Sequence, residues 1–573
     1  MGVRRAVEIV LDLQRKPVPL PIVTYGPLIH NPQTLKLLRS KGIMEVGDIS
    51  EVRGGTVIIR AHGISPQERE ELTKRADLVV DATCPRVARV QAIIAKHARA
   101  GDFCIIVGDR DHPEVRGLVG FASAGAIALS DVENVVSELE SVPTHKRICL
   151  VAQTTQEPEK FEAISRIVKK RFSDVRSYNT ICDSTRKRQA EVARLAEEVD
   201  MIVVVGGRGS GNTKRLVKVA EAKGRRTLHV ETEEELSPHD LDGLAEVGIT
   251  AGASTPNWLI LSVLDKIKEI DLVGKNGLVS LARKAIDVII MIYVWAALAG
   301  GALAAACQVL QNQPPSGLPV AVSSLFVFSM HLFNRIQDST GAVRFNTPQI
   351  AAFYSNNRGL LIGLAVSSSI LALILGYAIG IYPFFLLLLM ISAGGIYTAQ
   401  VLPPWLLPSL KWRSLKDVPG SKTPLVAAGW GMAAVVLPGV GFDRDALVTP
   451  GLAAAFIFAS GSVFIRTALS DLLDIQGDRI VGRETIPILL GPSKTLKLLT
   501  TLVLCIMFVL ISSYWCGWVT GVAWCLAGNV LFLWLLLTVY HQRHPVDRLF
   551  FEALVDCNFV LAGLAALGYH FLT

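Results

Sequence analysis

The sequence predicts two folds in series: an α/β fold in residues 1–270, then an all-α transmembrane fold in residues 283–573. Three observations carry that prediction. Of the 107 Asp, Glu, Lys and Arg residues, 78 precede residue 283, and the 29 that follow cluster between apolar runs. The first part alternates short β-branched runs with amphipathic stretches, the rhythm of βα units around mainly parallel sheets. The second part holds nine apolar runs, most of them near the ~20 residues that cross a bilayer as a helix. Between the parts, residues 271–282 read as a short linker containing Lys275, Asn276 and Gly277.

The strands expected in the first part include Thr56–Arg60, Leu78–Asp81, Phe103–Val107, Ile148–Val151 and Met201–Val205, each ending at a polar or Gly-rich turn. In such folds functional groups gather at strand ends. His30 and His62 each stand at a turn, Cys84 follows Leu78–Asp81, and His112 with Glu114 follows Phe103–Val107. Thr154 ends the next strand, and Cys182 lies further on. Gly206–Thr213 reads as a phosphate cradle, small residues letting backbone N–H groups approach an anion at a helix start. The nine cysteines form no CxxC pair, which argues against a disulfide scaffold. Cys104 and Cys149 fall in or beside strands and read as core. The net charge of +7 comes mainly from the second part, with no pattern of a nucleic-acid binder. The opening Met-Gly-Val-Arg-Arg-Ala lacks the apolar core of a secretory signal, so the first domain is expected in the cytoplasm.

The nine apolar runs are roughly 285–310, 317–333, 359–380, 382–402, 424–440, 449–470, 496–515, 517–540 and 554–571. With the N-terminus inside, inward loops carry thirteen Lys or Arg residues and outward loops only Arg444, a strong positive-inside bias. The expectation is a multi-pass protein of a bacterial-type inner membrane. Asp471, Asp474 and Asp478 close one apolar run at a DxxDxxxD spacing, which puts three carboxylates on one helix face. Three anions together at a membrane boundary call for a divalent ion such as Mg²⁺, which bridges carboxylates to a diphosphate. Asn334 and Asp338 close another run on the same side. Ionisable groups at such depth are functional by default.

Two resemblances follow from these residues. Asp471 to Gly491, DLLDIQGDRIVGRETIPILLG, resembles the second aspartate motif of the UbiA-type intramembrane prenyltransferases. Asn334 and Asp338 resemble the first motif, with Ala342 at its last acidic position. Lys411–Trp430 resembles that superfamily's basic loop, implying diphosphate contacts from Lys411, Arg413, Lys416 and Lys422. The resemblance implies Mg²⁺-dependent transfer from a lipid prenyl diphosphate to an acceptor, often aromatic. Mg²⁺ would sit at Asn334, Asp338, Asp471, Asp474 and Asp478.

The segments GVRRAV, GPLIHN, RAHGISP, DATCPRV, HPEV, AQTT, TICDSTRKRQ, GSGNT and TAGAS span residues 2–270. Together they resemble the 4-hydroxy-3-methylbut-2-enyl diphosphate reductase (LytB/IspH) family. That resemblance implies three α/β subdomains around a [4Fe-4S] cluster and reductive removal of a hydroxyl from a small allylic diphosphate. His30, His62, Ser210, Asn212 and Ser254 would bind the diphosphate. Glu114 would supply the proton, positioned by His112 and Thr154. Cys84 and Cys182 would ligate the cluster, and a ferredoxin or flavodoxin would deliver electrons. The family pattern C-x-G-V-x-x-A-V places a third cysteine immediately before Met1. The expectation is a start upstream that supplies it, which the codons preceding Met1 test; the chain as it stands is expected to retain cluster poorly. The implied whole is a bifunctional isoprenoid enzyme. The alternative is a membrane prenyltransferase carrying a catalytically dead reductase-like module.

Overall fold

In the computed structural model the chain divides into two compact units, Met1–Leu272 and Val273–Thr573. The structure describes residues 2–14, 16–274, 277–338, 346–398, 418–442, 449–481, 483–542 and 548–573. Lys411, Arg413, Lys416 and Ala342 lie outside the described residues.

The first unit holds three parallel sheets. The first has order β2-β1-β3-β4, from Ile22–Tyr25 (β1), Met44–Val46 (β2), Thr56–Ile59 (β3) and Leu78–Asp81 (β4). The second runs β6-β5-β7-β8, from Phe103–Val107 (β5), Ala126–Leu129 (β6), Ile148–Ala152 (β7) and Val175–Tyr178 (β8). The third runs β10-β9-β11, from Met201–Val205 (β9), Arg226–Val230 (β10) and Val247–Ala251 (β11). Every pairing is parallel, as the βα rhythm requires. Strands β5, β7 and β9 are central and almost wholly buried, so their residues form near-continuous apolar runs. Cys104 pairs in register with Cys149, both fully buried, as core residues.

The segment 271–282, expected as a linker, is helical on both sides of residues 275–276, in Asn257–Gly274 and Gly277–Met291.

The second unit is all helical among the described residues. Six helices are long and apolar enough to cross a membrane: Gly317–Asp338, Arg358–Ile379, Pro450–Ile475, Pro492–Trp515, Val522–His541 and Arg548–Leu572. Leu281–Met291 and Val294–Leu310 make a seventh if counted as one span bent by 59°. The unit is therefore a multi-pass membrane domain, and among the described residues length and apolarity give six or seven spans. The run at 382–402 supplies only the shorter apolar helix Ile381–Tyr397. The run at 424–440 is split into Lys422–Gly431, a π-helical turn at Met432–Val436, and Leu437–Phe442. Cys307 is buried as expected of a packing residue, whereas Cys505, Cys516 and Cys525 are exposed on the helical bundle.

Candidate functional sites

In the first unit the ends of the strands converge. His30 follows β1, His62 follows β3, and His112 follows β5 as the cap of the helix Pro113–Val119. Their rings form a cluster with centroids 4.6, 5.7 and 5.4 Å apart. Burial holds all three imidazoles below their usual range, with His112 pushed down to about 4. His30 Nε2 and His62 Nδ1 are buried with no hydrogen-bond partner.

The phosphate cradle lies against them. Ser210 caps the helix Gly211–Ala222, its hydroxyl accepting from the Thr213 N–H at 3.3 Å. Asn212 is buried with both amide atoms unpartnered, and Thr213 Oγ1 is also unpaired. Ser254 Oγ donates to the His30 carbonyl at 3.3 Å and lies 3.5 Å from Ser210 Oγ. Buried polar atoms in a native fold are almost always satisfied. Several such orphans near the start of the helix Gly211–Ala222 suit the binding of an anion there.

Glu114 is buried beside this cradle. It accepts from the Thr154 backbone N–H at 2.7 Å and from the Thr154 hydroxyl at 2.9 Å. The His112 Nδ1 accepts from the Glu114 N–H at 3.1 Å, which fixes the first turn of the helix. Desolvation raises the Glu114 carboxyl above its ordinary range, so it holds its proton to higher pH. A buried carboxyl with raised proton affinity is chemically suited to give up a proton to a nearby group.

Cys84 and Cys182 are N-caps of two further helices, Pro85–Arg99 and Asp183–Glu198. The helix starts are tied together by an Arg86–Asp183 ion pair at 3.0 Å. Gly2 packs against Cys84: a Cβ there would lie 2.2 Å from the sulfur, so the start of the first helix (Gly2–Leu13) reaches the same spot.

In the second unit, helix ends line a polar cavity of about 90 Å³. Asn334, Asp338, Lys422 and Asp474 line it, with Arg335 and Arg548. Asp471 accepts from Lys422 Nζ at 2.6 Å and from the Thr423 hydroxyl at 2.8 Å. Asp474 is gripped by both terminal nitrogens of Arg548, and Asp338 by those of Arg483. Asp478 is buried with Oδ2 unpartnered. A larger apolar cavity of about 240 Å³ adjoins through shared lining residues His331, Asn334, Tyr397 and Val426. Phe326, Met330, Met390, Leu425 and Trp430 form its greasy wall. A charged chamber opening into an apolar one suits a molecule with an anionic head and a hydrocarbon tail.

Comparison with known proteins now decides the family. Residues 1–268 match the LytB protein family, and residues 355–555 match the UbiA prenyltransferase family. The 4-hydroxy-3-methylbut-2-enyl diphosphate reductase of Geobacter sulfurreducens is 40% identical over 273 residues, spanning 47% of this chain and 94% of that protein. This chain belongs to the LytB family, fused to a UbiA prenyltransferase domain. A solved 4-hydroxy-3-methylbut-2-enyl diphosphate reductase shares 39% identity and a TM-score of 0.38, covering 47% of this chain and 95% of that one. A UbiA homolog from Archaeoglobus fulgidus, solved with GPP and Mg²⁺, shares 15% identity and a TM-score of 0.36. That match covers 49% of this chain and 99% of the homolog.

The LytB domain brings together His30, His62, His112, Glu114, Thr154, Ser210, Asn212 and Ser254 much as their order along the strands suggested. Cys84 and Cys182, two thiols at neighbouring helix N-termini, are soft donors of the kind that hold the iron–sulfur cluster the family uses. The UbiA domain fits Mg²⁺ through hard oxygen donors, of which the unpartnered Asp478 Oδ2 is the plainest. Its acids do not gather on one point, however. Among the described residues, only His30, His62 and His112 place three potential ligand atoms within 4.8 Å of one another. Each of Asp338, Asp471 and Asp474 is instead held by a cation from another element.

Sequence reading missed Arg548, Arg483, Tyr293 and His331. Arg548 and Arg483 had counted only as inward-loop charges. Tyr293 sits at the 59° break with a left-handed φ of 63°, an unusual conformation for a bulky residue, and lines the polar cavity. Its ring stacks on His331 at 4.8 Å. An apolar run gives no hint of a break at one tyrosine.

Proposed function

We propose that the LytB domain reductively removes the C4 hydroxyl of 4-hydroxy-3-methylbut-2-enyl diphosphate, giving isopentenyl and dimethylallyl diphosphates. The observation that carries this reading is the buried Glu114 bonded to Thr154, in the same strand-end cluster as unpartnered polar atoms. His30, His62, Ser210, Asn212 and Ser254 bind the diphosphate and orient the substrate. Cys84 and Cys182 would hold a cluster that, when bound, would relay electrons singly from an external donor and offer a Lewis acid to the hydroxyl oxygen. Glu114, positioned by His112 and Thr154, gives one proton to that oxygen, which leaves as water. The allylic carbon takes up two electrons from the external donor and a second proton to form either product. The test is anaerobic reconstitution of the full chain, extended upstream to carry the third cysteine, and turnover with a small-molecule reductant. Formation of both five-carbon diphosphates is expected. A fully loaded protein that binds substrate without reducing it would establish the dead-module alternative.

The UbiA domain, in this reading, transfers a prenyl group from a lipid prenyl diphosphate to an acceptor. Asp338, Asp471, Asp474 and Asp478, with Asn334, would hold Mg²⁺, which would offset the charge of the departing diphosphate. Lys422, Arg483 and Arg548 stand ready to pair with phosphate oxygens, joined by the basic loop residues Lys411, Arg413 and Lys416. The apolar chamber receives the chain. Membranes containing the protein are expected to release diphosphate from a prenyl diphosphate only with Mg²⁺ and an acceptor. The reading places the protein in a bacterial inner membrane with the LytB domain in the cytoplasm.

Electron delivery gives a further expectation. Exposed Arg86, Arg89, Arg186 and Lys187 surround the helix starts that carry Cys84 and Cys182. Such a basic rim suits an acidic one-electron carrier such as ferredoxin or flavodoxin. Reversing two charges, Arg86→Glu with Arg186→Glu, is expected to lower carrier-driven turnover about 10- to 100-fold at low salt. Turnover with the small-molecule reductant should stay within about twofold, a contrast that steady-state kinetics at two ionic strengths measures.

A further inference from the structure

Arg215 lies on the helix Gly211–Ala222, one turn beyond the cradle residues Ser210 and Asn212, and its side chain is only 8% exposed. Its partners are not in its own sheet layer. Nη1 donates to the Thr155 hydroxyl at 3.0 Å, and Nη2 donates to Asp109 Oδ2 at 3.0 Å and to Gln156 Oε1 at 3.4 Å. Nε lies 3.9 Å from Glu157. Asp109 follows β5 and begins the loop that carries His112 and Glu114. Thr155, Gln156 and Glu157 follow β7 and flank Thr154, the residue that holds Glu114. Gly211 keeps the seam tight: a Cβ there would lie 3.3 Å from Arg215 Nη1 and 3.9 Å from His112 Nε2.

We infer that Arg215 is a positioning residue: one buried guanidinium spans the seam between the second and third sheets and fixes the acid relative to the diphosphate cradle. The inference rests on the reductase reading above and deepens it. The planar fork of an arginine suits this task because it meets several acceptors at once in a fixed geometry. The anchors and the proton donor belong to different sheets, so their separation is set by whatever crosses the seam. A displacement of about 1 Å in such a geometry costs about 100-fold in rate while leaving each anchor on its own element.

The test uses the reconstituted full chain. Arg215→Met is expected to lower kcat about 30- to 300-fold. Inhibition by inorganic diphosphate should change less than about threefold, because Ser210, Asn212, His30 and His62 remain in place. Hydrogen exchange provides a readout independent of turnover: the Thr154 amide, now held by Glu114, should exchange at least about tenfold faster in Arg215→Met. The ratio of the two isomeric products should shift as well. Arg215→Lys keeps the charge but loses the fork, and should resemble Arg215→Met more than wild type. If Arg215→Met does not fold, Asp109→Asn and Thr155→Val each remove one arm and should show the same pattern at smaller amplitude. Unchanged kcat with unchanged exchange would overturn the inference. So would a loss of inorganic diphosphate binding in step with kcat, since Arg215 would then be an anion ligand. Wild-type protein that never turns over is a separate outcome and defeats the reductase reading instead.

Discussion

Glu114→Gln is expected to cut reductase turnover about 10²- to 10⁴-fold, the range for losing a positioned acid, with substrate affinity little changed. Glutamine keeps an oxygen to accept from the Thr154 N–H but has no proton to give. The same substitution has a signature in stability. Burial raises the Glu114 carboxyl in the folded state, so the native protein binds a proton that the unfolded chain releases. Between the two pKa values the folded state holds more protons, and stability falls as pH rises. Below the unfolded carboxyl range both states are protonated and the penalty vanishes. Glu114→Gln should therefore melt above wild type at pH 8 and level with it near pH 4. Thermal melts at the two pH values, beside turnover assays, check both halves. A variant that loses turnover but gains no stability at pH 8 would mean that the Glu114 carboxyl is not raised in the folded protein.

The second large effect concerns Asp471→Asn. The carboxylate is fully buried and receives Lys422 and Thr423. Asparagine preserves its shape but leaves the lysine facing no charge at that oxygen. Breaking one side of a buried pair costs about 3–5 kcal/mol. Prenyl transfer is expected to fall by about 10³-fold, because metal and diphosphate both lose a charged partner. Combining Asp471→Asn with Lys422→Met separates the two consequences. The double variant should recover much of the stability, since neither charge is stranded, yet still transfer nothing. Diphosphate release from membranes and melting in detergent measure the two quantities. Transfer that survives Asp471→Asn would remove the motif from the chemistry.

Some of this site was legible along the chain because strand ends in parallel sheets collect at one side. His30, His62, His112, Thr154 and the Gly206–Thr213 cradle each follow a strand, and short local rules place them there. Cys84 and Cys182 were legible for the same reason, each ending a βα loop as a helix cap. Arg215 was not. It lies on an ordinary amphipathic helix, and nothing in its neighbours signals partners 60 and 106 positions away. In the membrane unit the DxxDxxxD spacing announced its helix face, whereas the partners Arg548 and Arg483 could not be read from periodicity.

By itself the sequence determined the division into an aqueous and a lipid-facing unit, because charge density and apolar run length are properties of each segment against its own solvent. It also determined the parallel sheets and the family of each half. Only the tertiary structure decided which cation meets which carboxylate, where Tyr293 breaks a span, and how Arg215 crosses between sheets. Those choices depend on distances between segments far apart along the chain, set when separate elements pack. No local pattern carries that information.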